Sequence, residues 1–113
     1  MLVNEGAIEK LLELRRQDKF AEIEDQYTGI NPIENQPIAN QIINESIDAI
    51  IEILNDSPTK AKILEVYKRD IIKFDEVASD TEDRETVCVY YSKIREIIGF
   101  DSTDDILNDW LYH

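Results

Sequence analysis

The stretch Pro37-Ile38-Ala39-Asn40-Gln41-Ile42-Ile43-Asn44-Glu45-Ser46-Ile47-Asp48-Ala49-Ile50-Ile51-Glu52-Ile53-Leu54 decides the fold. Ile38, Ile42, Ile43, Ile47, Ile50, Ile51 and Leu54 recur with the 3.6-residue period of an α-helix, and the acids fall on the other face. Pro37 suits the first turn, where a missing N–H costs little. Asn55-Asp56 ends the helix.

Upstream, a first helix is expected from about Glu5 to Tyr27, with Ile8, Leu11, Leu12, Phe20 and Ile23 as its apolar positions. The polar patch Arg15-Arg16-Gln17-Asp18 bends it or divides it in two. Thr28-Gly29-Ile30-Asn31-Pro32 stops it, because Gly and Asn suit a left-handed turn and Pro cannot continue a helix. Gly29 to Gln36 then reads as a loop. Downstream, Ser57 and Pro58 look like the cap and first residue of a third helix that buries Ile63, Leu64, Tyr67, Ile71, Phe74 and Val77. Asp80 or Thr81 caps a fourth helix carrying Val87, Cys88, Tyr91, Ile94, Ile97 and Ile98. Thr86 to Tyr91 has β character by propensity, but its flanks favour helix. Gly99 is placed to close that helix, with Phe100 packing back over its last turn. Ser102 is expected to cap a short final helix, with Asp105 reciprocating, anchored by Ile106, Leu107, Trp110 and Leu111. The expectation is an all-α chain, a compact bundle of four main helices plus a short C-terminal helix, with residues 1–113 forming a single acidic helical domain.

The acidity is the second strong feature. Net charge is −13, from 25 Asp and Glu against 12 Lys and Arg. Such a chain is repelled by nucleic acid and by anionic lipid, and attracted by a basic surface. Hydrophobic residues still make up 42%, enough to exclude an acidic disordered chain. The charge is uneven. Residues 32–56 hold five acids and no base, whereas residues 57–79 are slightly positive through Lys60, Lys62, Lys68, Arg69 and Lys73. Pairs such as Glu65 with Arg69 and Asp70 with Lys73 read as a solvated helix face. Two acidic clusters stand out, Asp80, Glu82, Asp83 and Glu85, then Asp101, Asp104, Asp105 and Asp109. Helix capping accounts for part of each.

No motif names a reaction. The one His is His113 and the one Cys is Cys88, so a zinc or di-iron site lacks its ligands. Asp101, Thr103 and Asp105 alternate oxygens as a calcium loop does, but Ile106 stands where that loop needs Gly and Tyr112 where it needs Glu. No nucleophile motif or phosphate-binding loop occurs. No cofactor is expected. Cys88, in a Val-Cys-Val run, reads as a buried thiol. The start Met1-Leu2-Val3-Asn4-Glu5 lacks signal-peptide character and no apolar run approaches a membrane span, so the expected location is cytoplasmic. Tyr90 and Tyr91 are adjacent, so they are not expected to point into the core together, and Tyr90 is expected to face solvent or a neighbouring element; Trp110 is expected to pack on the bundle.

The C-terminal run carries a resemblance. Thr86-Val87-Cys88-Val89-Tyr90-Tyr91, then Ile94 through Ile98-Gly99-Phe100, then Ser102-Thr103-Asp104-Asp105-Ile106-Leu107-Asn108-Asp109-Trp110-Leu111-Tyr112 resembles an uncharacterised bacterial family of short proteins. That family ends in a similar Cys-x-Tyr helix, a Gly-containing turn, a Ser-Ser-Asp-like cap and a Leu-Asn-x-Trp-Leu-Tyr-Gly finish. Asp105 stands where the family tends to have Gly. The resemblance implies bacterial origin and a helical fold, and no activity.

Taken together these features point to a non-enzymatic binding module whose acidic face docks a basic protein, in its sharpest form an immunity or antitoxin-like inhibitor of a nuclease toxin. The expected partner-binding residues are Asp80, Glu82, Asp83, Glu85 and Tyr90, with Asp101, Asp104 and Asp105 beside them. The alternatives are a structural or regulatory helical protein, as a homodimer burying Tyr90 and Trp110, and a small hydrolase with an acid-lined pocket.

Overall fold

The computed structural model describes residues 1–112 of the chain; the expectations placed on His113 lie outside the described residues. The long isoleucine helix forms as α2, Asn35–Leu54, after α1, Ala7–Arg16. It is followed by α3, Lys60–Ile71, which tightens into a 3₁₀ turn at Ile72–Phe74, then by α4, Thr81–Ile98, and α5, Ile106–Leu111. The described residues are thus all-helical apart from one isolated bridge between Ile23 and Tyr27. The radius of gyration, 13.7 Å, is that of a compact chain of this length.

One apolar cluster holds the helices together. Leu11 and Leu14 of α1, Ile43, Ile47 and Ile50 of α2, Ile63, Tyr67 and Ile71 of α3, and Val87, Tyr91, Ile94 and Ile98 of α4 all contribute. Trp110, Ile106 and Leu107 anchor α5 on it. Not every expected position is inside. Leu12, Ile23 and Ile38 are exposed, because each projects from the outer side of its segment.

The first helix is ten residues long, not the span Glu5 to Tyr27 that the sequence suggested. Its end has a clear cause. Gln17 turns extended, and the Lys19 ammonium reaches back to the carbonyls of Leu14 (3.2 Å), Arg15 (3.3 Å) and Gln17 (2.9 Å), satisfying oxygens that a further helical turn would have used. Burial pushes that ammonium down to about 8, with the Arg15 charge adding to the effect. Phe20 then drops into the core against Phe74 and Tyr90 at ring distances of 5.9 and 5.5 Å. Ile30 is buried as well, and its N–H donates to the Phe20 carbonyl at 3.0 Å. Residues 20–30 therefore form a closed, internally packed loop of the Ω kind.

Two caps differ from expectation. Asn35 opens α2, which places Pro37 in its first turn as expected. Thr59, in extended geometry, caps α3 by accepting from the Lys62 N–H at 3.2 Å, which leaves Ser57 and Pro58 outside the helix. Asp105, not Ser102, precedes α5; its backbone is left-handed (φ 65°) and it makes no side-chain cap. Ser102 instead donates to Asp104 at 3.0 Å. Asp80 caps α4 as expected, and Gly99 closes it with φ 98°. Helix wins over β propensity at Thr86 to Tyr91 because the buried positions there, Val87, Tyr90, Tyr91 and Ile94, share a helical face fixed by that cap.

Tyr90 meets a neighbouring element, one of the two settings expected for it, but the two adjacent tyrosines are buried together, which was not expected. Tyr90 is 8% exposed, even though Tyr91 beside it is also buried. Two different layers receive them. Tyr91 packs on Tyr67 of α3 (4.8 Å), while Tyr90 packs on Phe20 of the loop. A helix covered on one side only would have left one of the two in water. A homodimer would accordingly have to use side chains other than Tyr90 and Trp110, which the single chain already buries.

Candidate functional site

Three polar regions follow from this scaffold. The first is internal. Asp70 of α3 is wholly buried, and its carboxylate accepts from Ser46 of α2 at 2.7 Å, from Arg69 at 2.9 and 3.1 Å, and pairs with Lys73 at 2.9 Å. Ser46 has one proton, given to Asp70, so the Tyr91 hydroxyl donates to Ser46 at 2.8 Å. Burial opposes ionisation of Asp70, but the bonds from Arg69, Lys73 and Ser46 outweigh it and hold the carboxyl below its ordinary range. Arg69 thus pairs with a buried Asp70 and not with Glu65, and α3 there is a tie to α2 and α4 and not merely a solvated face. A serine so enclosed offers no nucleophile to a substrate.

The second region is the turn after α4. Lys60 of α3 pairs with Asp101 and Asp104, each at 2.9 Å, and reaches Ser102 at 3.4 Å. Its charge holds both carboxyls below the ordinary range through hydrogen bonds. Asp105 is exposed beside them. This cluster is therefore compensated in part by a neighbouring base.

The third region is built by the 20–30 loop and the first half of α4. Gln26, Tyr27, Asp80, Thr81, Glu82, Glu85, Thr86 and Val89 line a depression of about 650 Å³. A second hollow, about 300 Å³, adjoins it through Tyr27, Gln26 and Glu82 and adds Glu22, Ile23 and Asp25. No Lys or Arg lines either. The one base in that stretch of α4, Arg84, turns away: its Nε donates to the Ala78 carbonyl at 3.0 Å and its guanidinium lies 4.8 Å over the Trp110 ring, beside Asp75. Asp80, Glu82 and Glu85 remain exposed and, among the described residues, without an ion pair.

The eight residues expected to bind a partner separate accordingly. Asp80, Glu82 and Glu85 come together at the depression. Asp83 does not face it. At 6% exposure it is turned inward and accepts from the Tyr27 hydroxyl at 2.5 Å, pinning the loop to α4. Burial, with Asp80 and Glu82 nearby, lifts its carboxyl above the ordinary value, and the Tyr27 bond opposes this only in part. Tyr90 is interior. Asp101, Asp104 and Asp105 lie past the far end of α4, whose 18 residues span about 25 Å at 1.5 Å per residue. The two clusters are not one surface. Glu22, Asp25 and Gln26, which the sequence reading did not single out, belong to the first; the signal was there in the base-free run Glu22-Ile23-Glu24-Asp25, obscured by reading it as helix.

Cys88 is half-buried, and its thiol is pushed up to about 11 by burial and by the Glu85 charge, so it is protonated at neutral pH and a poor nucleophile. Among the described residues no group of His, Cys, Asp and Glu is arranged to hold a metal ion, and no helix is long and apolar enough to cross a membrane.

With this geometry in place, comparison with known proteins assigns a family. The model of the domain of unknown function DUF4844 matches residues 2–113. The chain belongs to that family. The fold is also similar to the crystal structure of a DUF3571 family protein from Acinetobacter baumannii AYE, at 33% identity and a TM-score of 0.84, over 94% of this chain and 88% of that one. No curated protein matches the chain. The DUF4844 chain is thus an all-helical member of an uncharacterised family, as its C-terminal run suggested.

Proposed function

We propose that this DUF4844 protein is a non-enzymatic binding module that docks a basic protein on the face made by residues 20–30 and the first half of α4. The observation that carries the reading is the adjoining pair of depressions lined by Glu22, Asp25, Asp80, Glu82 and Glu85 with no Lys or Arg among them. Carboxylates crowded without counter-charge repel one another, and a cationic surface relieves that repulsion while steering its own approach. A nuclease-type toxin, whose substrate cleft must be basic to hold phosphates, is the sharpest form of such a partner. The site would then be Asp80, Glu82 and Glu85 with Glu22 and Asp25, while Asp83 positions the loop through Tyr27.

The test is charge reversal. The wild-type chain and a Glu82→Lys/Glu85→Lys variant are immobilised side by side, offered extract of the cells that make the protein, and the partner retained by the wild type is purified. Its association rate is then followed against salt. The reading expects a basic partner whose association slows by about tenfold or more in the variant and on raising salt. Binding that is indifferent to both perturbations overturns it.

A further inference from the structure

The 20–30 loop is fastened unequally along its length. Its two ends are in the core, where Phe20 and Ile30 are fully buried and joined by the Ile30 N–H. Its middle is not. From Glu22 to Gln26 every side chain is exposed, and the backbone bonds there, Ile23 with Tyr27 at 2.7 and 2.9 Å, are internal to the loop. The side chain that ties this middle part to α4 is Tyr27, through its hydroxyl on the Asp83 carboxyl.

That carboxyl is in unfavourable surroundings for a charge. It is buried and, among the described residues, has no ion pair. The ionisable groups around it are Tyr27 and acids: Asp80 and Glu82 from α4 and the residue before it, and Glu22 and Asp25 of the loop, which line the hollow beside Tyr27. Arg84, next in sequence, is held at Ala78, Asp75 and Trp110. Ionising Asp83 under the closed loop therefore puts a charge out of water, beside like charges, with one hydroxyl to receive it. Lifting the loop returns the carboxyl to water and removes that cost. The closed loop thus holds the Asp83 proton more firmly than the open one does, and the raised value of this carboxyl agrees. By linkage, the state that holds a proton more firmly is the state that protons favour. Protonation does not break the tie, because the carbonyl oxygen of the acid still accepts from Tyr27.

We propose that the Tyr27–Asp83 contact is a proton-operated latch: with Asp83 protonated the loop is shut on α4, and with Asp83 ionised residues 22–28 lift from the helix more readily while Phe20 and Ile30 stay in the core. Because those residues carry Glu22 and Asp25, the make-up of the hollow they share with Glu82 follows pH as well. The latch is a property of the fold and stands whether or not a partner docks there.

Hydrogen exchange on the full chain tests it. Exchange is followed by NMR between about pH 4 and about pH 7 and expressed as protection over each amide's intrinsic rate, so that base catalysis of exchange cancels. The wild type should lose about threefold or more of its protection at Ile23 and Tyr27 as pH rises, while Ile30 keeps its own. The loss should be complete at the pH where carbon-13 NMR shows the Asp83 carboxyl fully ionised. Asp83→Asn keeps an acceptor for Tyr27 but cannot ionise, so its protection at Ile23 and Tyr27 should not change with pH. The latch is overturned by wild-type protection that is independent of pH, by an equal fall in Asp83→Asn, or by a fall that continues past the titration of Asp83. A fall shared equally by Ile30 overturns it too, since that is a general loosening. All but one of these outcomes are read on the wild type, so they decide the matter even where Asp83→Asn does not fold.

Discussion

Substitution of Gly99 by Ala probes how the start of the chain is locked to the end of α4. Gly99 has φ 98°, and a Cβ built there would lie 2.6 Å from the Cγ, Oδ1 and Nδ2 atoms of Asn4. Asn4 is not idle: its N–H donates to the Ile98 carbonyl at 2.8 Å and its Nδ2 to the Glu96 carbonyl at 3.2 Å, serving oxygens that the helix end leaves open. Two costs follow from Gly99→Ala. Holding Ala in a left-handed conformation costs about 1 kcal/mol. Displacing the Asn4 side chain from Glu96 costs about 1 kcal/mol more, since that bond is lost. The sum, about 2 kcal/mol, is a large share of the 5–15 kcal/mol typical of a domain and corresponds to a fall in melting temperature of roughly 8 °C. Thermal and urea unfolding followed by circular dichroism measure it, with Asn4→Ala as the second arm of a double-mutant cycle. In the Asn4→Ala background the cost of Gly99→Ala should shrink to about 1 kcal/mol, because only the backbone strain remains. An equal cost in both backgrounds would refute the close approach, and no cost in either would refute the left-handed constraint.

Gly29→Ala should cost more than Gly99→Ala, about 3 kcal/mol, because its Cβ would meet the backbone N of Glu22 at 2.9 Å and the backbone C of Ala21 at 3.2 Å, which cannot swing aside. Hydrogen exchange should show the loss of protection confined first to residues 20–30; an unchanged exchange rate at Ile23 and Tyr27 would count against the tight closure of that loop. The two buried carboxylates should titrate on opposite sides of the ordinary value by carbon-13 NMR, Asp83 above and Asp70 below. The signs for stability are therefore opposite. What Asp83 contributes is complete at low pH and is lost as pH rises through its lifted value, whereas what Asp70 contributes is present at neutral pH and is lost as pH falls through its lowered value. Asp70→Asn should accordingly be less stable than the wild type at pH 7, with the deficit shrinking on acidification; a deficit that grows toward low pH would contradict the assignment.

The helices were legible where one periodicity runs uninterrupted and one partner layer exists. α2 announces itself through its isoleucines, and the buried set Ile42, Ile43, Ile47 and Ile50 is the expected one. The connection between α1 and α2 was not legible, because Lys19 and Phe20 look like ordinary helical residues until the carbonyls of α1 and the rings of Phe74 and Tyr90 are placed around them. That Tyr90 would be buried, and by which element, was not legible for the same reason: the layer that covers it comes from a loop of high sequence separation, not from a helix. The candidate site shows the same division. Asp80, Glu82 and Glu85 can be picked out from charge and capping alone. That Asp83, in their midst, turns inward to Tyr27 depends on a bond across 56 residues of sequence, which no local pattern carries.

The −13 charge divides between compensated and uncompensated carboxylates, and the division follows the elements. α3 supplies Lys60 to Asp101 and Asp104, and Arg69 with Lys73 to Asp70; α1 supplies Arg15 to Asp48 at 2.7 Å. Each of these bases therefore acts within the fold, between helices or at the buried end of one. Arg84, the base nearest the first half of α4, is spent on Ala78, Asp75 and Trp110, where it fastens α5. Arg84 stands four residues after Asp80, the spacing of an ordinary helix pair, so its engagement elsewhere leaves Asp80 without that partner. Placed against Trp110, it secures a six-residue helix too short to stand alone. A chain in which Arg84 no longer served Trp110 would weaken the hold on α5 and free a base at the helix-pair distance from Asp80.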